Sequence, residues 1–208
     1  MDKREIAELL LDCKVVLFNS KNPFRFVSGI LSPVYCDNRL LISNVNGRNK
    51  IVDGFIDLIK ESNKDVDIIA GVATSAIPFA SWIASKLEKP LIYVRKTGKE
   101  YGRGRSIEGI LTNNANIVVI EDLVTTANSL ISVVEIIRNE SGCVNDCFSI
   151  MNYEMEESKQ NLLAKKINLK SLSNFSTLVD VAIKKGYLNE EERETVLSWK
   201  IDPRNWKV

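Results

Sequence analysis

Ile117-Val118-Val119-Ile120-Glu121-Asp122-Leu123-Val124-Thr125-Thr126-Ala127-Asn128-Ser129 is the stretch on which the fold turns. Four consecutive apolar residues, 117–120, predict a short buried strand, and the apolar spacing of 129–139 predicts a helix behind it. Between them lie two adjacent carboxylates and then hydroxyl-bearing residues at a helix N-terminus. Backbone N–H groups and the helix dipole there suit a phosphate, and the carboxylates suit sugar hydroxyls or a hydrated divalent cation. A Ser/Thr/Asn helix cap behind two solvated acids explains the same residues without a ligand.

The pattern repeats on either side. Residues 67–72, 91–94 and 147–151 are further short apolar runs, and 77–88 carries a helical pattern. Nearly continuous apolar strands separated by helices predict βαβ units and an α/β fold, a parallel sheet covered by helices on both faces. Ahead of this lie an amphipathic helix within 5–18, an extended, hairpin-like stretch at 24–37 punctuated by Gly29 and Pro33, and a helix over 47–62. Residues 156–208 predict two or three helices and one candidate strand, 167–172.

In an open parallel sheet, ligands bind beyond the carboxyl ends of the strands. After strand 91–94 runs Arg95-Lys96-Thr97-Gly98-Lys99-Glu100-Tyr101-Gly102-Arg103-Gly104-Arg105, with five cations and three glycines. Such a loop suits closure over a polyanion, although a solvated surface loop also has this composition. After strand 67–72, the small-residue turn Ala73-Thr74-Ser75-Ala76 opens a helix with Pro78 near its start, which suits close backbone approach to an anion or simply tight packing. Three anion-suited segments at the ends of strands that share a sheet would meet one ligand.

Composition removes other classes. The 208 residues contain no histidine, so a Ser-His-Asp triad, an HExxH zinc site and a Cys-His dyad are impossible. The four cysteines include no CxxC pair and read as thiols. Neither GxxxxGK[ST] nor GxGxxG follows a strand, against a Walker-type NTPase or a dinucleotide enzyme. With 28 basic and 27 acidic side chains the formal charge is +1, which steers the chain to neither nucleic acid nor membrane. Nor is there an apolar run of membrane-spanning length, and the expectation is a reduced, cytoplasmic protein.

Residues 118–126 resemble the phosphoribosyl pyrophosphate (PRPP) signature of the orotate phosphoribosyltransferases. Ser32-Pro33-Val34-Tyr35-Cys36-Asp37-Asn38-Arg39 is similar to that family's N-terminal segment, and Gly71-Val72-Ala73-Thr74-Ser75-Ala76-Ile77-Pro78 to its pyrophosphate loop. Residues 93–96 through Ile107-Glu108-Gly109 resemble its catalytic loop, and 199–206 the tail of some members.

The resemblance implies a type I phosphoribosyltransferase fold in one domain, 1–208, with a small hood mainly in 1–45, a core of about 46–155 and a C-terminal helical extension of about 156–208. It implies transfer from PRPP to orotate, giving orotidine 5′-monophosphate and pyrophosphate in pyrimidine biosynthesis, with Mg²⁺ held mainly through PRPP rather than by direct protein ligands. Catalytic roles fall to Lys99, Arg95 and Asp122. PRPP contacts fall to Arg95, Lys96, Lys99 and Tyr101, to Glu121, Asp122, Leu123 and Val124, and to Thr125, Thr126, Ala127, Asn128 and Ser129. Thr125 also takes an orotate contact. The implied partners are these small molecules and a second subunit of a homodimer, with no nucleic acid or membrane.

Three positions depart from the family's common pattern: Tyr101 where a histidine is usual, Ala127 and Asn128 where glycine is usual, and Leu31 where many members have lysine. They leave a PRPP-binding regulator, or a phosphoribosyltransferase for another base, as competing readings.

Overall fold

The computed structural model describes residues 2–26, 29–62, 65–96 and 106–207. Helix α1 (Lys3–Asp12) starts with a capping box, in which Asp2 accepts from the Arg4 N–H and the Glu5 carboxylate accepts from the Asp2 N–H. It ends earlier than its apolar spacing predicts, because the β-branched pair Val15-Val16 opens a strand, β1 (Val16–Phe18). After β2 (Phe24–Arg25) and β3 (Leu31–Ser32), which pair around a turn with Gly29 at φ +86°, comes β4 (Val34–Cys36). Strand β4 pairs antiparallel with β1, Val16 opposite Cys36. A 3-10 turn (Asn38–Ser43) then leads into α2 (Val45–Glu61), whose Ile51, Phe55 and Ile59 are buried.

The main sheet is built from β5 (Ile68–Val72), β6 (Leu91–Val94), β7 (Ile107–Glu108), β8 (Asn116–Val124), β9 (Cys143–Asn152) and β10 (Asn168–Asn174). Their order is β10-β9-β8-β5-β6-β7, parallel throughout except for β7, which runs antiparallel to β6. Every residue of β5 is buried, as expected of a strand covered on both faces. Helix α3 (Ile77–Leu87) packs on β5 at Gly71, where a Cβ would sit 3.0 Å from that of Ala80. Helix α4 (Asn128–Asn139) packs on β9, and α5 (Glu156–Ala164) on α4 and β10. Helix α6 (Phe175–Lys184) and α1 pack on each other and on β10, so helices flank the sheet on both faces.

One expectation needs correction. The strand foreseen at 117–120 continues to Val124, because parallel pairing with β9 carries on through Glu121 opposite Ser149 and Val124 opposite Asn152. The acid pair therefore belongs to the strand and not to the loop after it. The candidate strand at 167–172 is present as β10, an edge strand of the main sheet, with Ser171 bonded to Ser149 at 2.7 Å. A final helix, α7 (Arg193–Trp199), buries Trp199 against Tyr153 and Phe175, ring centroids 5.3 and 5.6 Å away. Such aromatic pairs contribute about 0.5–1.5 kcal/mol each beyond their buried area.

Candidate functional site

Strands β8, β5 and β6 are neighbours and parallel, so the three segments singled out above leave the sheet at the same edge. The centre is the acid pair. Glu121 is 5% exposed, and its carboxylate accepts the Asp122 N–H at 3.0 Å. Burial pushes the Glu121 carboxyl well above its usual range; the neighbouring Asp122 charge pushes the same way and Lys96 opposes it. Burial raises Asp122 as well, against hydrogen bonding from Glu121 and the charge of Arg39. Two carboxyls this close and this dry hold one negative charge more readily than two, and a ligand that supplies hydroxyl donors or positive charge stabilises the second.

Beyond the pair, Thr125 and Thr126 are half-buried and lead to Ala127, which occupies the left-handed region at φ +65°. This turn aims the chain into α4, and no side chain caps that helix. An uncapped N-terminus of a twelve-residue helix leaves amides and the positive dipole end for an anion. Asn128, which is exposed, donates to the Thr126 hydroxyl at 3.1 Å, and Ser129 is half-buried on the first turn. Leu123 is half-buried and Val124 buried; both serve as strand, through backbone rather than side-chain chemistry.

After β5, the Ala73 N–H donates to the Val94 carbonyl at 2.9 Å, which joins this turn to the end of β6. The Ala73–Thr74 peptide is cis, and α3 likewise starts without a side-chain cap. At the end of β6, Arg95 donates to Glu108 at 2.9 Å and lies 5.4 Å from the centre of the Tyr93 ring. Its N–H also bonds the Ser106 carbonyl, so Arg95 braces the two ends of the cationic loop. Lys96 is exposed and close enough to act on Glu121. Lys99 and Tyr101 lie within 97–105, outside the described residues.

Three contributors carried no individual role in the sequence reading. Asn38, 1% exposed, donates to the Asp122 backbone carbonyl at 2.8 Å and so docks the N-terminal strands on the acid pair. Arg39 makes a two-pronged ion pair with Asp37, at 2.6 and 2.8 Å, which holds Asp37 below its usual range. A polar Asp-Asn-Arg run directly after an extended segment is the signal that marks them. Asn161, on α5, donates to the Thr126 carbonyl at 3.1 Å and buttresses the phosphate-type turn. No local signal marks Asn161, since its partner is 35 residues away.

A mostly parallel sheet with a buried acid pair and an uncapped helix at one strand end suits an anionic ligand, and the chain belongs to the phosphoribosyl transferase domain family, which matches residues 42–184. Over 203 residues it is 41% identical to the orotate phosphoribosyltransferase of Coxiella burnetii (strain RSA 493 / Nine Mile phase I), covering 98% of this chain and 97% of that one. It is 39% identical over 203 residues to the enzyme of the same name from Enterococcus faecalis (strain ATCC 47077 / OG1RF), with the same coverage. Among solved structures it is similar to orotate phosphoribosyltransferase from Aeropyrum pernix, with a TM-score of 0.72 and 25% identity over 87% of this chain and 99% of that one. Leishmania donovani UMP synthase shares the fold, at a TM-score of 0.80 and 23% identity over 95% of this chain and 42% of that one.

Proposed function

We propose that this chain is an orotate phosphoribosyltransferase, transferring the 5-phosphoribosyl group of PRPP to orotate with release of pyrophosphate. The observation that carries the reading is identity of 41% with a relative of that name across 98% of the chain, N-terminal strands included. In the same reading the enzyme acts as a cytoplasmic homodimer in pyrimidine biosynthesis.

The site residues divide the work by charge. The first turn of α4, with Thr125 and Thr126, holds the 5′-phosphate on amides and hydroxyls. Glu121 and Asp122 accept from the ribose hydroxyls, and Thr125 stands at the base. Departure of pyrophosphate builds positive charge on the sugar and negative charge on the leaving group, so Asp122 stabilises the first while Lys96, Lys99 and Arg95 stabilise the second. Arg95 must exchange Glu108 for the pyrophosphate to take part, and Tyr101 donates a hydrogen bond where it cannot carry a charge at neutral pH. No protein nucleophile is needed, in keeping with a histidine-free chain.

The donor set fits Mg²⁺ as part of the substrate complex. The ion would be held mainly through PRPP and water, with the carboxyls of Glu121 and Asp122 offering hard oxygens beside its hydration shell while they accept from the ribose hydroxyls. Bound there, the ion would neutralise the pyrophosphate.

Purified protein mixed with orotate, PRPP and Mg²⁺ should consume orotate, followed by its absorbance. No turnover with orotate sinks the reading. PRPP binding without turnover favours a regulator, and turnover of a purine or uracil instead favours another acceptor base.

A further inference from the structure

The family match leaves residues 1–41 and 185–208 outside it, and the structure ties these two stretches to each other. Trp199, fully buried on α7, donates its indole N–H to the Leu31 carbonyl at 2.8 Å, and Phe26 meets its ring edge-on at 6.3 Å. A second tie lies apart from the first: the buried Ser20 hydroxyl donates to Glu192. Ser20 follows Asn19, whose N–H bonds the Pro33 carbonyl at 2.8 Å, so both ties grip the same set of N-terminal strands.

The other side of the C-terminal segment is fixed to the core. Lys200 donates to Glu154 at 3.1 Å and to Ser176 at 2.6 Å. Trp199 meets Tyr153 edge-on, and the Tyr153 N–H bonds the carbonyl of Val124, the last residue of the acid-pair strand. The indole thus spans the gap between the strand ends and the hood. From Leu31 the path to the site is short. Ser32 bonds both the carbonyl and the N–H of Val34, at 2.7 and 3.2 Å, and β4 runs on to Asn38, which rests on Asp122. The parts that would hold the phosphoribosyl donor, residues 121–129, lie inside the family match.

We propose that residues 190–200 form a clasp that sets the position of the hood over the strand ends, with Trp199 and Glu192 as positioning residues for the acceptor base and not for PRPP. The proposal rests on the orotate reading above. Its chemical logic is a division of labour. The family's shared core binds the shared donor, while the two terminal segments, linked by the indole N–H and by Ser20–Glu192, shape the pocket for a planar, anionic base.

The test uses Trp199→Phe, which keeps a buried ring but deletes the donor, and Glu192→Gln, which weakens the remote tie. Each is compared with the parent in KM for orotate, kcat, PRPP affinity by calorimetry without orotate, and thermal midpoint. Loss of one hydrogen bond in the clasp should raise the orotate KM about three- to ten-fold, with kcat and PRPP affinity within about two-fold of the parent. An orotate KM unchanged in both variants overturns the proposal, as does a parallel loss of PRPP affinity, which would mark the clasp as general scaffolding. If Trp199→Phe does not fold, Glu192→Gln decides alone. A parent that turns over orotate while its variants behave identically defeats the clasp only; a parent with no orotate turnover defeats the functional reading beneath it.

Discussion

The side-chain amide of Asn38 reaches across 84 residues of sequence to donate a 2.8 Å hydrogen bond to the backbone carbonyl of Asp122. It is a direct polar link between the N-terminal segment and the acid pair, and at 1% exposure water does not replace it. Asn38→Ala should therefore lower stability by about 1–3 kcal/mol, the cost of leaving a buried acceptor unpaired. Urea unfolding measures this, and a loss below about 0.5 kcal/mol would show that the carbonyl finds another partner. The same variant should lower kcat/KM through displacement of the hood.

Glu121 supplies a pH signature. Its carboxyl titrates higher in the folded chain than in the unfolded one, because it is buried beside Asp122. A carboxyl raised in this way favours the folded state below its unfolded pKa, and that contribution is lost as pH rises toward the folded value. Glu121→Gln removes the titration. The variant should gain stability relative to the parent as pH rises through and above the ordinary carboxylate range. Unfolding series from acid to neutral pH would contradict this if the difference between the two proteins stayed constant.

Ala127 holds the turn before α4 at φ +65°. A left-handed conformation costs an L-residue roughly 1–2 kcal/mol, and a β-branched one more. Ala127→Val should thus destabilise the chain by more than about 1 kcal/mol and weaken phosphate binding at α4. For Ala127→Gly the relief of that strain is offset by a lost buried methyl, about 0.8 kcal/mol, and by a freer unfolded chain. Its stability should stay within about 1 kcal/mol of the parent. Thermal midpoints and PRPP titrations on the pair check both statements.

For Lys99 the expectation comes from sequence. On the proposed reading Lys99→Ala should lower kcat by about an order of magnitude or more, with smaller effects on the thermal midpoint, because it removes a cation assigned to the departing pyrophosphate. An unchanged kcat would discard the role. Tyr101→His in the same assay reports whether the hydroxyl already does the work of the family's more common residue.

Much of the sheet is legible in the sequence because its central strands are mostly buried. Ile68–Val72 and Leu91–Val94 stand out as apolar runs, and the helix after 77 as a periodic face. What was not legible depends on partners far along the chain. Residues 16–18 look like more helix until β4 pairs with them from position 34 onward. Glu121 and Asp122 look like loop until β9 extends the ladder beside them. The strand at Asn168–Asn174 is offered by the sequence as a candidate, but its place at the sheet edge beside β9 is not.

By itself the sequence determined the chemistry on offer: no histidine, a near-balanced charge, an acid pair before a hydroxyl-rich turn, and a cationic glycine-containing loop. Composition and local periodicity are short-range properties, and they suffice for residue types and for buried strands. Only the tertiary structure decided which of these groups meet. It set β8, β5 and β6 side by side, raised the carboxyls by excluding water from them, and engaged Arg95 with Glu108. It also brought Trp199 to Leu31 across 168 residues. Contacts at such separations are selected by packing of the whole chain, which no local window of sequence contains.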